Sequence, residues 1–440
     1  MFRDPAEASP EGIHRAGPVP WHLLPDGAEV GPKGQLLIGG VDLLALAEDE
    51  GTPVFVYDED HLRRRCREAV QAWGPGVAYA SKAFLCKEMA RLVHSEGMSM
   101  DVSTGGELYV ALAGGVPPER LILHGNNKSE AELASAIEVG VGRIVVDSFD
   151  ELDRLDELAP EAGIRPKVLL RVTPGVEAHT HEYVQTGQDD SKFGFGVASG
   201  AAAAAVERVR RPGSAVELVG LHAHIGSQVF ALDSFAKAMV VLAEVFLPLG
   251  LPELCLGGGL GVAYVAGEPT PSISEWAAVI RDAAGQARIP DDVRLTAEPG
   301  RAIVAGAAVT CYRVGTIKEV PGIRTYVSVD GGMSDNPRPV LYGSGYEAFL
   351  PRAPKADRPR RVTVVGKHCE SGDVVVRDAQ VPDGLRVGDI LATPVTGAYG
   401  HSMASNYNKV PRPPVVFVRG GEARVVVRRE SYDDLLTLDV

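Results

Sequence analysis

Cysteine is scarce in this 440-residue chain. The five present, Cys66, Cys86, Cys255, Cys311 and Cys369, are odd in number and scattered, and no two form a C-x-x-C pair. That usage suggests neither a disulfide framework nor a zinc site, and it fits a reducing cytosol. A surplus of positive charge is missing as well: 44 Lys and Arg stand against 58 Asp and Glu, a formal net charge of −14. Nonspecific attraction to nucleic acid or an anionic membrane is disfavoured, which leaves a small molecule as the expected partner. The first thirty residues carry Pro, Glu, Asp and His throughout and lack the basic start and apolar core of a secretory signal. The most apolar region, Val240 to Val265, is broken by Glu244, Pro248, Pro252, Glu253 and a glycine run, so it is no ordinary membrane span. No repeat of solenoid length is present. The expectation is a soluble, cytoplasmic protein without a metal.

What is present is enough apolar residue, 45% of the chain, for a large core, at a length that suggests two or three domains. From about residue 50, short apolar runs alternate with helix-like stretches, the pattern of parallel strands joined by crossover helices. Eight such runs are Val77 to Ser81, Met98 to Val102, Leu121 to Leu123, Arg143 to Val146, Lys167 to Val172, Leu218 to Ala223, Glu253 to Leu256 and Val293 to Ala297. Eight strands match a (β/α)8 TIM barrel, in which reactive groups gather at the C-terminal strand ends. An open doubly wound sheet produces similar alternation and stays as the alternative. After about Ala308 the texture turns β-rich, ending in a hairpin-like pair around Arg419-Gly420-Gly421-Glu422. Gln35 to Val41 reads as a further strand that could join this second, all-β domain. The expected division is 1–48 as a segment contributing to the β domain, 49–308 as the barrel and 309–440 as the β domain.

Polar groups follow the eight runs. Gly257-Gly258-Gly259-Leu260-Gly261 comes after the seventh, where bare backbone amides can approach a phosphate; a tight turn alone would look the same. Barrel phosphate sites commonly use the loops after strands seven and eight, and no G-x-x-x-x-G-K-[ST] pattern marks a P-loop. Lys82 ends the first run, where packed apolar neighbours would make its burial costly unless it is paired or covalently used. With a phosphate cradle nearby, a Schiff base to pyridoxal 5'-phosphate (PLP) is the sharper explanation of this lysine than a solvent-reaching strand end. Glu298, at the eighth run, can hold the cofactor's pyridine nitrogen protonated or form an ion pair with Arg301. His222 and His224 share a face, so a metal pair is conceivable, but no acidic or cysteine ligand lies beside them in sequence. His224 packed on the cofactor ring, with Ser227 on the phosphate, is preferred. Cys369 sits among charged and glycine residues, as an accessible thiol able to give a proton would, whereas most lone cysteines are inert packing residues. Arg338 and Tyr342, beyond the turn-rich Asp330 to Asn336, could recognise a carboxylate.

Together these motifs make the chain resemble the fold-type III PLP decarboxylases, most closely the diaminopimelate decarboxylases. The resemblance covers nearly the whole chain, through Tyr79 to Phe84, Asp101 to Leu108, His124 to Ser129, Gly175 to Tyr183 and Leu221 to Gln228. It continues through the glycine run, Glu298 to Arg301, Val329 to Asn336, Gly366 to Asp373 and Gly397 to Asn408. It implies an alanine-racemase-like barrel with a β domain, working as a homodimer with shared active sites. By resemblance, Lys82 carries PLP, His224 stacks on the ring, and Ser227 with Gly257, Gly258 and Gly259 binds phosphate. Glu298 meets the pyridine nitrogen, and Pro299, Gly300 and Arg301 belong to the same cofactor-binding stretch. Arg301, Arg338 and Tyr342 match substrate-carboxylate contacts, and Tyr399 matches a residue touching cofactor and substrate. Cys369 matches a proton donor and Glu370 a ligand of the distal ammonium, both supplied by the partner subunit. The implied reaction is decarboxylation of meso-diaminopimelate at its D-configured centre to L-lysine.

Several positions depart from the family pattern: Pro337 and Pro339 flank Arg338, Ser103 stands where cysteine is frequent, Gly400-His401 follows Tyr399, and Gln185 to Ser191 is unusual. They leave room for a paralogue acting on ornithine, arginine or another amino acid. A non-catalytic binding homologue should have lost Lys82 or Cys369, and both are present.

Overall fold

The computed structural model describes residues 17–175 and 191–440. Most of the Gly175 to Tyr183 motif and of the Gln185 to Ser191 stretch therefore lies outside the described residues.

Eight parallel strands pair in chain order: Ala78–Ala80, Ser99–Val102, Leu121–Leu123, Arg143–Val146, Lys167–Thr173, Glu217–His222, Glu253–Cys255 and Arg294–Thr296. The Ala78 amide donates to the Ala297 carbonyl at 3.0 Å and the Ala80 amide to the Pro299 carbonyl at 3.3 Å. These bonds bring the end of the eighth strand back to the first and close the barrel, which removes the open-sheet alternative. Crossover helices cover the outside, as expected where parallel strands are buried on both faces. Their starts are encoded locally: Ser129 and Glu132 form a capping box at the helix Glu130–Val139, and Ser272 with Glu275 does so at Ile273–Gln286.

The second sheet is built around the long strand Ala308–Val320. It runs in the order Val374–Val381, Arg360–Val365, Arg324–Val329, Ala308–Val320, Val54–Asp58, Val415–Arg419, Glu422–Val427, with Ile390–Pro394 also pairing Ala308–Val320. Val54–Asp58 precedes the barrel in sequence yet lies inside this sheet, antiparallel to Ala308–Val320 and parallel to Val415–Arg419. The stretch Gln35 to Val41 forms strands in a sheet of its own. Leu36–Ile38 and Val41–Asp42 pair with each other and with Ala28–Val30 in a separate three-stranded sheet. That small sheet covers the β domain instead of extending it: Leu36 and Ile38 pack with Val54, Val56, Val309 and Val416 in one apolar cluster.

Candidate active site

Strand geometry explains why polar groups collect at one mouth. Ala78, Ile122, Val145, Leu169, Val219 and Cys255 pack with one another as an apolar plug. Side chains two residues apart along a strand share a face. The next interior positions are therefore Ala80, His124, Asp147, Arg171 and Gly257, with Asp101 and Glu298 in the equivalent places on the second and eighth strands. The sixth strand is irregular: its register shifts between Leu218 and Gly220. The extra residue lets Val219 join the plug while His222, three residues on, still faces the mouth. A cavity of about 370 Å³ results, lined by Lys82, Asp101, His124, Arg171, His222, His224, Ser227, Gly258, Gly259, Glu298, Gly300, Arg301 and Tyr399 among others.

Lys82 is not on the first strand. It sits in the short turn Ser81–Ala83 and is exposed, so the burial expected for it is absent and its amine stands in the open cavity. Glu298 is 5% exposed and pairs with neither Lys82 nor Arg301. Its Oε1 meets His124 Nε2 at 3.0 Å and its Oε2 meets His222 Nε2 at 3.0 Å. The acidic partner missing from the sequence around His222 thus arrives from the eighth strand. The ligand atoms of His124, His222 and Glu298 lie within 4.8 Å of one another, a closeness that the two hydrogen bonds account for.

Burial pushes the Glu298 carboxyl up, but His124 and His222 outweigh it and hold it well below the usual carboxylate range. Burial pulls His124 down, while Asp101 and Glu298 raise it above an ordinary imidazole. His222 is lowered by burial, only partly offset by Glu298. His224 is lowered strongly, by burial first and then by the charges of Lys82 and Arg171, which leaves its ring neutral. Arg171 adds a fixed cation, its guanidinium 4.3 Å from the centre of the Phe193 ring.

The glycine turn is pressed against its surroundings. Gly257 at φ 65° and Gly259 at φ 110° occupy the left-handed half of backbone space. A Cβ at Gly258 would strike the Glu298 carbonyl, and one at Gly259 the Gly226 carbonyl. The Gly258 amide donates to His224 Nδ1 at 3.1 Å, which orients that imidazole. Ser227 Oγ accepts from Arg301 Nη2 at 2.9 Å, tying the serine loop to the stretch after the eighth strand.

Beside this cradle lies an arginine–tyrosine cluster. Arg301 Nη1 donates to Tyr264 Oη at 2.7 Å, and Arg338 Nη1 donates to Tyr346 Oη at 2.7 Å. The Arg338 guanidinium lies 4.2 Å from the centre of the Tyr264 ring, and that of Arg301 lies 4.8 Å from the Tyr399 ring. Pro337 is the N-cap of the short helix Arg338–Tyr342 and Pro339 lies in its first turn, where proline is tolerated. Tyr342 ends that helix half-buried. Tyr399 takes a left-handed φ of 59°, held by its amide donating to the Ala83 carbonyl at 2.9 Å, next to Lys82.

Cys369 and Glu370 stand apart. Both are exposed and neither lines the cavity of their own chain. The base of their loop is firm. Asp373 Oδ2 accepts from the His368 amide at 2.9 Å and meets His368 Nδ1 at 2.7 Å, and Asp373 Oδ1 accepts from the Met333 amide at 2.7 Å. The His368 ring stacks on Tyr407, and the Cys369 amide donates to Asn408 Oδ1 at 3.0 Å.

Lys82, His224, Ser227, Gly258, Gly259, Glu298, Gly300, Arg301 and Tyr399 are thus brought to one cavity; Gly257, Pro299 and Tyr342 do not line it, and Arg338 lies one tyrosine away. Sequence reasoning gave no role to Asp101, His124, Arg171, Tyr264 or Tyr346. A strand-end position marks the first three. Nothing local marks the two tyrosines, which meet the arginines only through the fold.

A reachable amine, a glycine turn without side chains and a neutral imidazole face one cavity with an ionised carboxylate, and this set fits PLP. Residues 59–305 match the family described as "Pyridoxal-dependent decarboxylase, pyridoxal binding domain". Fold and match together define a PLP-dependent decarboxylase. Diaminopimelate decarboxylase from Mycobacterium tuberculosis is 50% identical over 427 residues, covering 92% of this chain and 95% of the relative. The Bacillus subtilis enzyme is 46% identical over 424 residues, covering 92% and 95%. The structure of diaminopimelate decarboxylase from M. jannaschii in co-complex with L-lysine superposes with a TM-score of 0.87 at 33% identity, covering 94% of this chain and 98% of that one. The chain belongs to the diaminopimelate decarboxylase family.

Proposed function

We propose that this chain decarboxylates meso-diaminopimelate to L-lysine and carbon dioxide, using PLP attached at Lys82. The convergence of Lys82, the glycine turn and Glu298 on one cavity, with Arg301 at its edge, carries the reading. When bound, PLP supplies an electron sink for the pair left behind as the carboxylate departs. The chain's own residues do the rest. Lys82 Nζ is the attachment point. The glycine turn Gly257 to Gly259 and the Ser227 hydroxyl take the phosphate. His224, uncharged, covers a ring face without repelling a cationic ring, and the ionised Glu298 favours a proton on the ring nitrogen. Arg301, Arg338 and Tyr342 take the carboxylate at the far end of the substrate, and Tyr399 spans cofactor and substrate.

The proton for the α-carbon comes from Cys369, and Glu370 takes the distal ammonium, both reaching the cavity of a second copy in a homodimer. Their exposure and distance from their own cavity support this division. A cytoplasmic setting accords with all five cysteines being free. Among the described residues no helix is long and apolar enough to cross a membrane. Carbon dioxide release from meso-diaminopimelate, lysine, ornithine and arginine tests the substrate. The highest kcat/KM is expected for meso-diaminopimelate, and preference for another member would overturn the assignment.

A further inference from the structure

Both carboxylate oxygens of Glu298 are engaged by nitrogen, and the two partners come from different strands. His124 follows the third strand and His222 ends the sixth, each with Nε2 at 3.0 Å, and their rings meet edge to face 5.0 Å apart. All three residues are buried, yet all line the cavity. An ionised carboxylate can only accept, so each contact needs a hydrogen on Nε2. His222 Nδ1 is buried with no hydrogen-bond partner among the described residues, so its proton belongs on Nε2, where an acceptor exists.

We propose that His124 and His222 are positioning residues that keep Glu298 ionised and fixed in place, so that the proton it shares with the cofactor's ring nitrogen resides on the nitrogen. The proposal rests on the reading of Glu298 as partner of that nitrogen. An N–H donor stabilises the charged carboxylate more than the neutral acid. Every unit by which the carboxyl becomes less basic moves the shared proton toward the ring by about tenfold. Removing the donors reverses this: Glu298 retains the proton, the ring becomes neutral and the electron sink weakens. The other groups facing Glu298 do not replace the histidines. Asp101, 3.8 Å from His124 Nε2, opposes ionisation by its like charge. Arg171 and Lys82 contribute charge in the cavity, but neither has a hydrogen bond to the carboxylate.

The test is the 15N resonance of holoenzyme reconstituted with ring-15N PLP. Wild type is expected at the protonated-pyridine position. His124→Leu and His222→Leu should move the resonance toward neutral pyridine and lower kcat about tenfold or more, with KM little changed. His124→Gln and His222→Gln, which keep an N–H donor, should restore much of both. A double leucine variant that binds PLP with an unmoved nitrogen resonance overturns the proposal. Should the leucine variants not fold or take up PLP, 15N-histidine-labelled wild type decides: a proton on both Nε2 atoms supports the proposal, and a bare Nε2 on either overturns it. A neutral ring nitrogen in wild type removes the underlying reading of Glu298 as well, whereas a protonated wild type with unresponsive variants removes the proposal alone.

Discussion

In the barrel mouth Glu298, His124 and His222 are buried and hold one another at 3.0 Å, whereas Cys369 and Glu370 stand exposed on a loop that is fixed only at its base. The mouth is organised within a single chain. Its strand-end groups point inward because strand parity leaves them no other direction, and the two histidines engage both oxygens of Glu298. The base of the Cys369 loop is anchored through Asp373, Tyr407 and Asn408, but Cys369 and Glu370 do not line the cavity of their own chain. An anchored loop that holds a thiol and a carboxylate at the surface, the carboxylate bonded only to Ser371 and Gly372 of the same loop, suits the shared site proposed above. On the proposed function, the difference separates a region that would hold the cofactor from one that would complete the chemistry in a second copy.

The comparison breaks most severely at Lys82. Lys82→Ala should abolish the visible absorbance band of the bound cofactor and cut decarboxylation by several orders of magnitude; spectrophotometry with a carbon dioxide assay reads both. A retained band would displace Lys82 from the attachment role. Cys369→Ala should leave that band intact and lower kcat by roughly 10²–10⁴, the usual contribution of a positioned proton donor. Unchanged turnover would exclude the thiol from proton delivery.

The smallest effect concerns the ground beneath the exposed loop. Asp335, bonded to Tyr312 Oη at 2.6 Å and to the Gly332 amide at 2.6 Å, is pushed by burial from 3.8 up to about 7. A folded carboxyl raised in this way stabilises the fold while protonated, so its contribution is full below pH 3.8 and is lost as pH rises toward 7. Asp335→Asn mimics the neutral form and should gain about 3 kcal/mol relative to wild type between pH 5 and pH 8. Urea unfolding at the two pH values measures this, and parallel curves would contradict it.

Much of the barrel was legible because a parallel strand is a short apolar run and its C-terminal neighbour is polar, both local properties. Lys82, His224, the glycine turn and Glu298 could be placed at strand ends on that basis. Val54–Asp58 was not recognised as part of the β domain, because an all-buried strand reads the same whichever sheet it enters. Gln35 to Val41 was legible as a strand associated with the β domain, but not as part of a separate sheet, since pairing partners are chosen by packing and not by local propensity. For Lys82 the sequence left burial and a solvent-reaching strand end both open, because one residue beyond a strand the chain can turn out of the packed layer. Tyr264 and Tyr346 carried no signal at all. Each becomes meaningful only beside an arginine from a distant segment.

Mixing the two inactive variants, Lys82→Ala and Cys369→Ala, tests the division between mouth and loop most directly. If each cavity takes its own Lys82 and a second copy's Cys369, randomly re-formed dimers should recover roughly a quarter of wild-type activity, since half are mixed and each mixed dimer has one complete site. No recovery from a mixture shown to have exchanged subunits would contradict the account.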